Sequence, residues 1–251
     1  RAAGGRFLLR IEDIDRARAR PEWEGLLMDD LRWLGLTWDG PVLRQSGRLP
    51  AYRAALATLW EAGDLYPCHC SRRDIEEAAS APQEGTRLGP DGIVYPGTCR
   101  SLPRAGTVPQ GALRLDMAHA VTDPVTFFEE GSGPAGDRGR ISRDRQQMLD
   151  SVGDVVLARR DMGTSYHLSV VVDDAHQGVT HVTRGEDLFE ATAIHVVLQR
   201  LLGLPTPVYH HHRLIRDAAG RRLAKRDDAR ALRTYRAEGL TPSDIRRMVG
   251  L

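Results

Sequence analysis

A chain of 251 residues with 35 Lys or Arg, 34 Asp or Glu and 41% apolar residues can fold around one large core or two modest ones. A net charge of +1 excludes a strong polycation, and apolar runs as short as residues 168–172 are too short to span a membrane. Nothing at the N-terminus reads as a secretory signal, and three cysteines cannot build a full disulfide framework, so a reducing cytoplasm is the expected compartment.

Residues 7–11 are strand-like and end in Glu12, Asp13 and Asp15, with Arg10 and Arg16 beside them. Acids at a strand tip form either a ligand site or a helix cap with local ion pairs, and the residues alone leave both open. Pro21 suits a first helical position, and Trp23, Leu27, Leu31 and Leu34 recur at helical spacing. Leu49, Tyr52, Leu56 and Leu59 do the same up to Gly63. These patterns predict two core-facing helices of an α/β fold, with Trp23, Trp33 and Trp60 as packing residues. Residues 65–109 change character. Gly and Pro punctuate short pieces, all three cysteines fall here, and the segment reads as an insertion without a large core of its own. Short strands are predicted over 111–117 and 125–130, and the composition of 129–142 predicts a flexible surface loop. Two strand runs, the second containing LSVVV, are predicted to flank a turn at 161–163. A third, 179–183, ends at Arg184 and Gly185. Leu188, Ala191, Ile194, Leu198 and Leu201 predict a helix ended by Gly203, on which His195 reads as structural or exposed. A strand, a turn at 219–220, a basic loop and short helices over 231–239 and 241–251 close the chain, which has no internal repeat.

Two clusters carry chemistry. Cys68 and Cys70 form C-x-C, and Tyr95 stands four residues before Cys99. Zinc takes four tetrahedral ligands, and three thiols are at hand. Tyr95 supplies an oxygen if its loop folds back, whereas extended geometry points His69 away from its neighbours. Coordination would staple a segment that lacks a core. Three unrelated buried thiols is the other reading of the same spacing. The second cluster follows Gly220, where Arg221, Arg222, Lys225 and Arg226 crowd one loop. The chain has 34 arginines and the single lysine Lys225, so one compact ammonium stands where Arg is the default. Residues 213–247 hold eleven basic and five acidic side chains, which permits a phosphate-rich partner at this end. Asp227 and Asp228 are placed to cap the next helix. Neither a P-loop nor a dinucleotide fingerprint is present.

Taken in order, LLRIEDIDRAR, YHLSVVVDDAHQGVTHVTRGEDL and GRRLAKRD resemble the glutamyl and glutaminyl branch of the class I aminoacyl-tRNA synthetases, over nearly the whole chain. The last segment is similar to the family's K-M-S-K-S loop, here Arg222, Leu223, Ala224, Lys225 and Arg226. The resemblance implies an α/β, Rossmann-like catalytic domain whose first part lies in 1–64. A zinc-binding insertion follows over 65–109, and the rest of the insertion and the second catalytic part over 110–212. The ATP loop and a small C-terminal helical region occupy 213–251. It further implies tRNA-independent activation of glutamate to glutamyl-adenylate with ATP and magnesium. In shortened members the glutamate then passes to queuosine in the anticodon of tRNA(Asp). No protein nucleophile is needed, since catalysis is positioning and charge stabilisation.

Residue by residue, the family's zinc pattern falls on Cys68, Cys70, Tyr95 and Cys99. Glu12 resembles the carboxylate that receives the glutamate α-ammonium, and residues 7–11 would carry it to a strand's carboxyl edge. Tyr166 resembles the phenol lining the same pocket. Arg184 resembles the guanidinium that contacts glutamate, where a planar fork suits a carboxylate. Lys225 resembles the catalytic lysine that meets phosphate. Asp13 and Asp15 are expected to support the pocket or nearby backbone, and Asp187 to orient the turn after Arg184. A monomer is implied.

The family's first strand and its H-I-G-H-like, ATP-contacting motif have no counterpart here. A polypeptide starting at Arg1 is therefore expected to show little or no glutamate-dependent ATP–pyrophosphate exchange. Ala224 stands where serine is commoner, which removes a hydroxyl and keeps the lysine. Two other functions share these features. One is a truncated glutamyl-tRNA synthetase charging a tRNA 3′ end, against which counts the short run after the basic loop. The other is a non-catalytic, zinc-stabilised RNA-binding protein. In a complete enzyme, Lys225→Ala is expected to depress pyrophosphate exchange; undiminished exchange would remove Lys225 from the reaction.

Overall fold

A computed structural model describes residues 4–16, 18–80, 86–216 and 231–251. The chain forms two compact units, residues 1–47 with 214–251, and residues 48–213.

In the first unit, β1 (Arg10–Ile11) lies parallel to β2 (Leu43–Arg44). The pairing is extended upstream by Asp39 N donating to Phe7 O at 2.7 Å and Phe7 N donating to Asp39 Oδ2 at 2.9 Å. Helix α1 (Pro21–Trp33) has Pro at its first turn with Glu22 and Glu24, and Arg32 at its last, as helix-end electrostatics favour. Its predicted core-facing stripe is not buried. No residue of α1 is fully covered, and Trp23 is 40% exposed with Arg20 stacked on its ring.

The second unit opens with α2 (Leu49–Glu61), which buries Tyr52, Leu56, Leu59 and Trp60. Trp60 also donates from Nε1 to Gly106 O at 2.8 Å. After β3 (Leu65–Cys68) come α3 (Arg72–Ser80) and a small hairpin, β4 (Leu88–Gly89) with β5 (Gly92–Ile93). Then follow β6 (Ala112–Leu115), α4 (Met117–Ala120), β7 (Val125–Glu129), β8 (Gly139–Arg143) and α5 (Arg145–Ser151). The unit ends with β9 (Val156–Ala158), α6 (Tyr166–Gln177), β10 (His181–Gly185), α7 (Thr192–Leu201) and β11 (Val208–His212). Strands β3, β6 and β9 form an antiparallel sheet. The second sheet has the order β10-β11-β7-β8, the first three parallel and β8 antiparallel at the edge. Helix α7 packs on β7 and against α6, the helical cover that parallel strands need.

The chain returns to the first unit with α8 (Leu232–Ala237) and α9 (Pro242–Val249). Thr241 and Asp244 form a reciprocal capping box on α9, and Arg246 donates to Leu34 O at 2.7 Å. No helix among the described residues is long and apolar enough to cross a membrane.

Two predicted elements differ. The LSVVV run is not a strand but the middle of α6. Ser165 caps the helix by accepting from Leu168 N, and Gly178 ends it at φ 64°. Leu168, Ser169, Val170 and Val171 are all buried. A continuous apolar run suits a helix covered on several sides as well as a strand. Valine's helix penalty is at most about 0.7 kcal/mol, less than the roughly 1.5–3 kcal/mol that burying its side chain contributes. Residues 129–142 are not a free loop either. β8 pairs with β7, Phe127 opposite Ile141, and both side chains are buried.

Besides the β3–β6 pairing and the Trp60 bond, one buried acid ties residues 65–109 to the rest of the unit. Asp154 is buried and accepts from Tyr66 OH at 2.5 Å, Arg100 Nε at 2.9 Å, Arg100 Nη2 at 2.7 Å and Met117 N at 2.9 Å. Its backbone carbonyl accepts from Arg114 Nη1 at 2.7 Å. Asp154→Ala is expected to cost about 3–5 kcal/mol, because it strands the partners of a buried charge. The denaturant midpoint checks this, and a shift smaller than that of an ordinary surface substitution would show the acid to be dispensable.

Candidate active site

Parallel strands deliver side chains to their carboxyl edge, where ligands of α/β sheets gather. Here β10, β11 and β7 bring Arg184, His211 and Glu129 to that edge, with Arg184 and His211 in direct register. The Arg184 guanidinium donates from Nε to His211 Nε2 at 3.1 Å. Its Nη1 lies 3.0 Å from His195 Nδ1. Its Nη2 donates to Thr192 Oγ1 at 2.6 Å and Leu188 O at 3.3 Å. Behind His211, Glu129 is fully buried; its Oε2 lies 2.5 Å from His211 Nδ1 and its Oε1 accepts from His211 N and Gly131 N, both at 2.8 Å. Behind His195, His167 Nδ1 is 3.1 Å from His195 Nε2, and Asp91 closes the row 3.6 Å from His167 Nε2. Gly131 is required by proximity, because a Cβ there would collide with the His211 backbone and the Glu129 carboxylate.

Tyr166 begins α6 and sets its ring edge-on to His195, with centroids 5.8 Å apart. The two predicted pocket residues Tyr166 and Arg184 therefore meet at His195. Glu12 belongs to the other unit, where it is exposed and 3.7 Å from Arg10 Nη2. Asp13 braces backbone, accepting from Ser46 N at 2.8 Å and Ser46 Oγ at 2.6 Å. Asp15 pairs with Arg18, and Asp187 lies in the 3-10 turn Glu186–Leu188 that follows Arg184. Arg222, Leu223, Ala224, Lys225 and Arg226 lie outside the described residues.

Burial, followed by the charges of Arg184, His167 and His211, holds the His195 imidazole well below the ordinary histidine value of 6.5. Burial also lowers His211, with the bond to Glu129 opposing it.

The predicted metal ligands also converge. The sulfurs of Cys68, Cys70 and Cys99 lie within 4.8 Å of one another, Cys70 and Cys99 at 3.5 Å. Tyr95 OH lies 3.2 Å from Cys70 Sγ and 3.6 Å from Cys68 Sγ, and accepts from Cys99 N at 3.0 Å. Zinc–sulfur bonds of about 2.3 Å put tetrahedral sulfurs about 3.8 Å apart, so this donor set fits zinc. His69 is exposed and outside the group. Burial, and then the hydrogen bonds with the neighbouring thiols, push the Tyr95 phenol up. Burial opposes ionisation of Cys99, but hydrogen bonds from Tyr95, the His69 backbone and the other thiols bring it down to about 7. Arg114 donates to Cys68 Sγ at 3.3 Å and lies 3.8 Å over the Tyr95 ring, placing a cation against the thiols.

Sequence reasoning missed Glu129, His211, His167, Arg114 and Asp154. Only the run His210, His211 and His212 carried a visible signal, and alternation along β11 buries the middle one.

The family model for the catalytic domain of class I tRNA synthetases (E and Q) matches residues 1–251. A glutamyl-Q tRNA(Asp) synthetase of Rhodobacter capsulatus is 72% identical over 254 aligned residues, covering all of this chain and 90% of that protein. One from Nocardia farcinica is 43% identical, covering 98% of this chain and 73% of that protein. A solved glutamate tRNA ligase from Elizabethkingia meningosepticum, in complex with its amino acid, shares the fold with a TM-score of 0.71 at 24% identity. It covers 99% of this chain, which spans just over half, 54%, of that longer one.

The lowered histidines set a stability profile. Above 6.5, folded and unfolded His195 and His211 are alike neutral and contribute nothing. As pH falls below 6.5 the unfolded chain takes up protons that the folded sites refuse, so stability drops. The thermal midpoint is expected to decline between about pH 6.5 and 5, and less steeply in His195→Asn. Equal slopes in the two proteins would clear His195 of this cost.

Proposed function

The chain belongs to the class I tRNA synthetases of the glutamyl and glutaminyl type, and from that premise we propose that it activates glutamate with ATP and transfers it to queuosine in tRNA(Asp). It is a ligase of the aminoacyl-tRNA synthetase type. The observation that carries the reading is the 72% identity, across the full chain, to a protein named for that reaction.

In the activation step a glutamate α-carboxylate oxygen attacks the α-phosphorus of ATP. The bond to the β,γ-phosphates breaks, and pyrophosphate leaves with its magnesium. A queuosine hydroxyl then attacks the adenylate carbonyl, gives up its proton, and AMP departs. Holding the reactants in line supplies most of the acceleration in such a reaction. The Arg184 guanidinium holds a glutamate carboxylate, and the Tyr166 hydroxyl lines the same pocket. Glu12 takes the α-ammonium, an assignment that rests on the resemblance of its strand. Lys225, within the loop from Arg222 to Arg226, follows the charge on the phosphates. Cys68, Cys70 and Cys99, with the Tyr95 oxygen, would hold one zinc ion, which when bound staples the insertion. Unpaired thiols and an RNA substrate suit an enzyme of the cytoplasm, and the family resemblance implies a monomer.

The test is transfer of labelled glutamate to tRNA(Asp) with and without queuosine. Label is expected on tRNA(Asp) only when queuosine is present. Label at the 3′ end of tRNA(Glu) would make this a glutamyl-tRNA synthetase. RNA binding without glutamate-dependent pyrophosphate exchange would leave a binding protein.

A further inference from the structure

Arg184 is more tightly engaged than a free carboxylate clamp. A guanidinium carries five N–H groups and can only donate. Four of the five meet acceptors among the described residues, His211 Nε2, His195 Nδ1, Thr192 Oγ1 and Leu188 O. The remaining one is on Nη1. The histidines must therefore accept, which fixes every proton in the row. His211 carries its proton on Nδ1 and donates it to Glu129 Oε2. His195 carries its proton on Nε2 and donates it to His167 Nδ1. His167 then presents its own Nε2 proton toward Asp91.

We propose that His195 and His211 are positioning residues for the glutamate site, locking Arg184 so that it meets the substrate carboxylate with its charge and one outward N–H rather than a two-pronged fork. This rests on the reading of Arg184 as the glutamate contact. The lock removes side-chain freedom before substrate arrives, which lowers the cost of binding. It also balances a half-buried cation, since the Glu129 charge reaches Arg184 through the His211 ring. Neither histidine can take a second proton without turning an N–H against the guanidinium. Around His195 stand Arg184 from β10, Tyr166 and His167 from α6 and His211 from β11. No carboxylate touches His195 directly among the described residues to favour its charged form.

The test uses the complete enzyme and glutamate-dependent pyrophosphate exchange. His195→Leu removes the acceptor, whereas His195→Asn places an amide oxygen close to the lost Nδ1. The leucine variant is expected to raise the KM for glutamate about tenfold, as for loss of a hydrogen bond to a charged group. Its kcat and KM for ATP should hold, and the asparagine variant should restore the glutamate KM to within about twofold. A merely structural histidine would move both KM values or neither. Arg184→Lys is the control. If it leaves the glutamate KM unchanged, the reading of Arg184 fails; if it raises KM while His195→Leu does not, only the lock fails. Should the leucine variant not fold, imidazole 15N spectra of the unaltered enzyme decide. They are expected to show His195 protonated on Nε2 and His211 on Nδ1, both shifting on addition of glutamate. Other tautomers, or no response to glutamate, overturn the lock.

Discussion

A guanidinium at the edge of three parallel strands cannot sit half out of water without an arrangement that offsets its lost hydration. Arg184 has that arrangement on two sides. The parallel register of β10 and β11 sets it beside His211, and β7 brings the fully buried Glu129 behind His211. On the other side α6 and α7 pack together so that His167 and His195 hydrogen-bond between them. Strands β7, β10 and β11 and helices α6 and α7 thus each contribute a polar group to one row. A shift of one residue in any strand register would turn a member of the row to the opposite face.

A second row organises residues 65–109. Asp154 gathers Tyr66, Arg100 and the backbone of Met117, and its carbonyl holds Arg114. Arg114 in turn reaches Cys68 and covers the Tyr95 ring. The thiol group is therefore continuous with buried charge in the β3-β6-β9 sheet. Around the thiols the apolar cluster is small, Tyr66, Cys68, Tyr95 and Cys99 with a few partly covered neighbours. A segment with that little core depends on directional bonds, and three sulfurs beside a phenol oxygen suit a metal staple.

The physical reasons for success and failure at the sequence level differ by element. Helices with one covered face were legible, as in α2, because periodicity records which side is covered. Helix α6 was misread because its consecutive buried residues His167–Val171, rich in valine, read like a short strand. Strand β8 hid in glycine-rich composition, because its pairing with β7 is a long-range fact. Trp23 looked like a core residue from its spacing, yet amphipathic spacing states only which face is apolar.

The sequence by itself determined the family and hence the reaction class, because three motifs in order are a local chemical text. It also determined the thiol and phenol spacing that the fold then brings together. Only the tertiary structure decided that Glu129, His211, His195 and His167 share one row with Arg184. Glu129, His195 and His211 lie outside the three motifs, and the row's protonation pattern exists only once strands and helices distant in sequence place donors opposite acceptors.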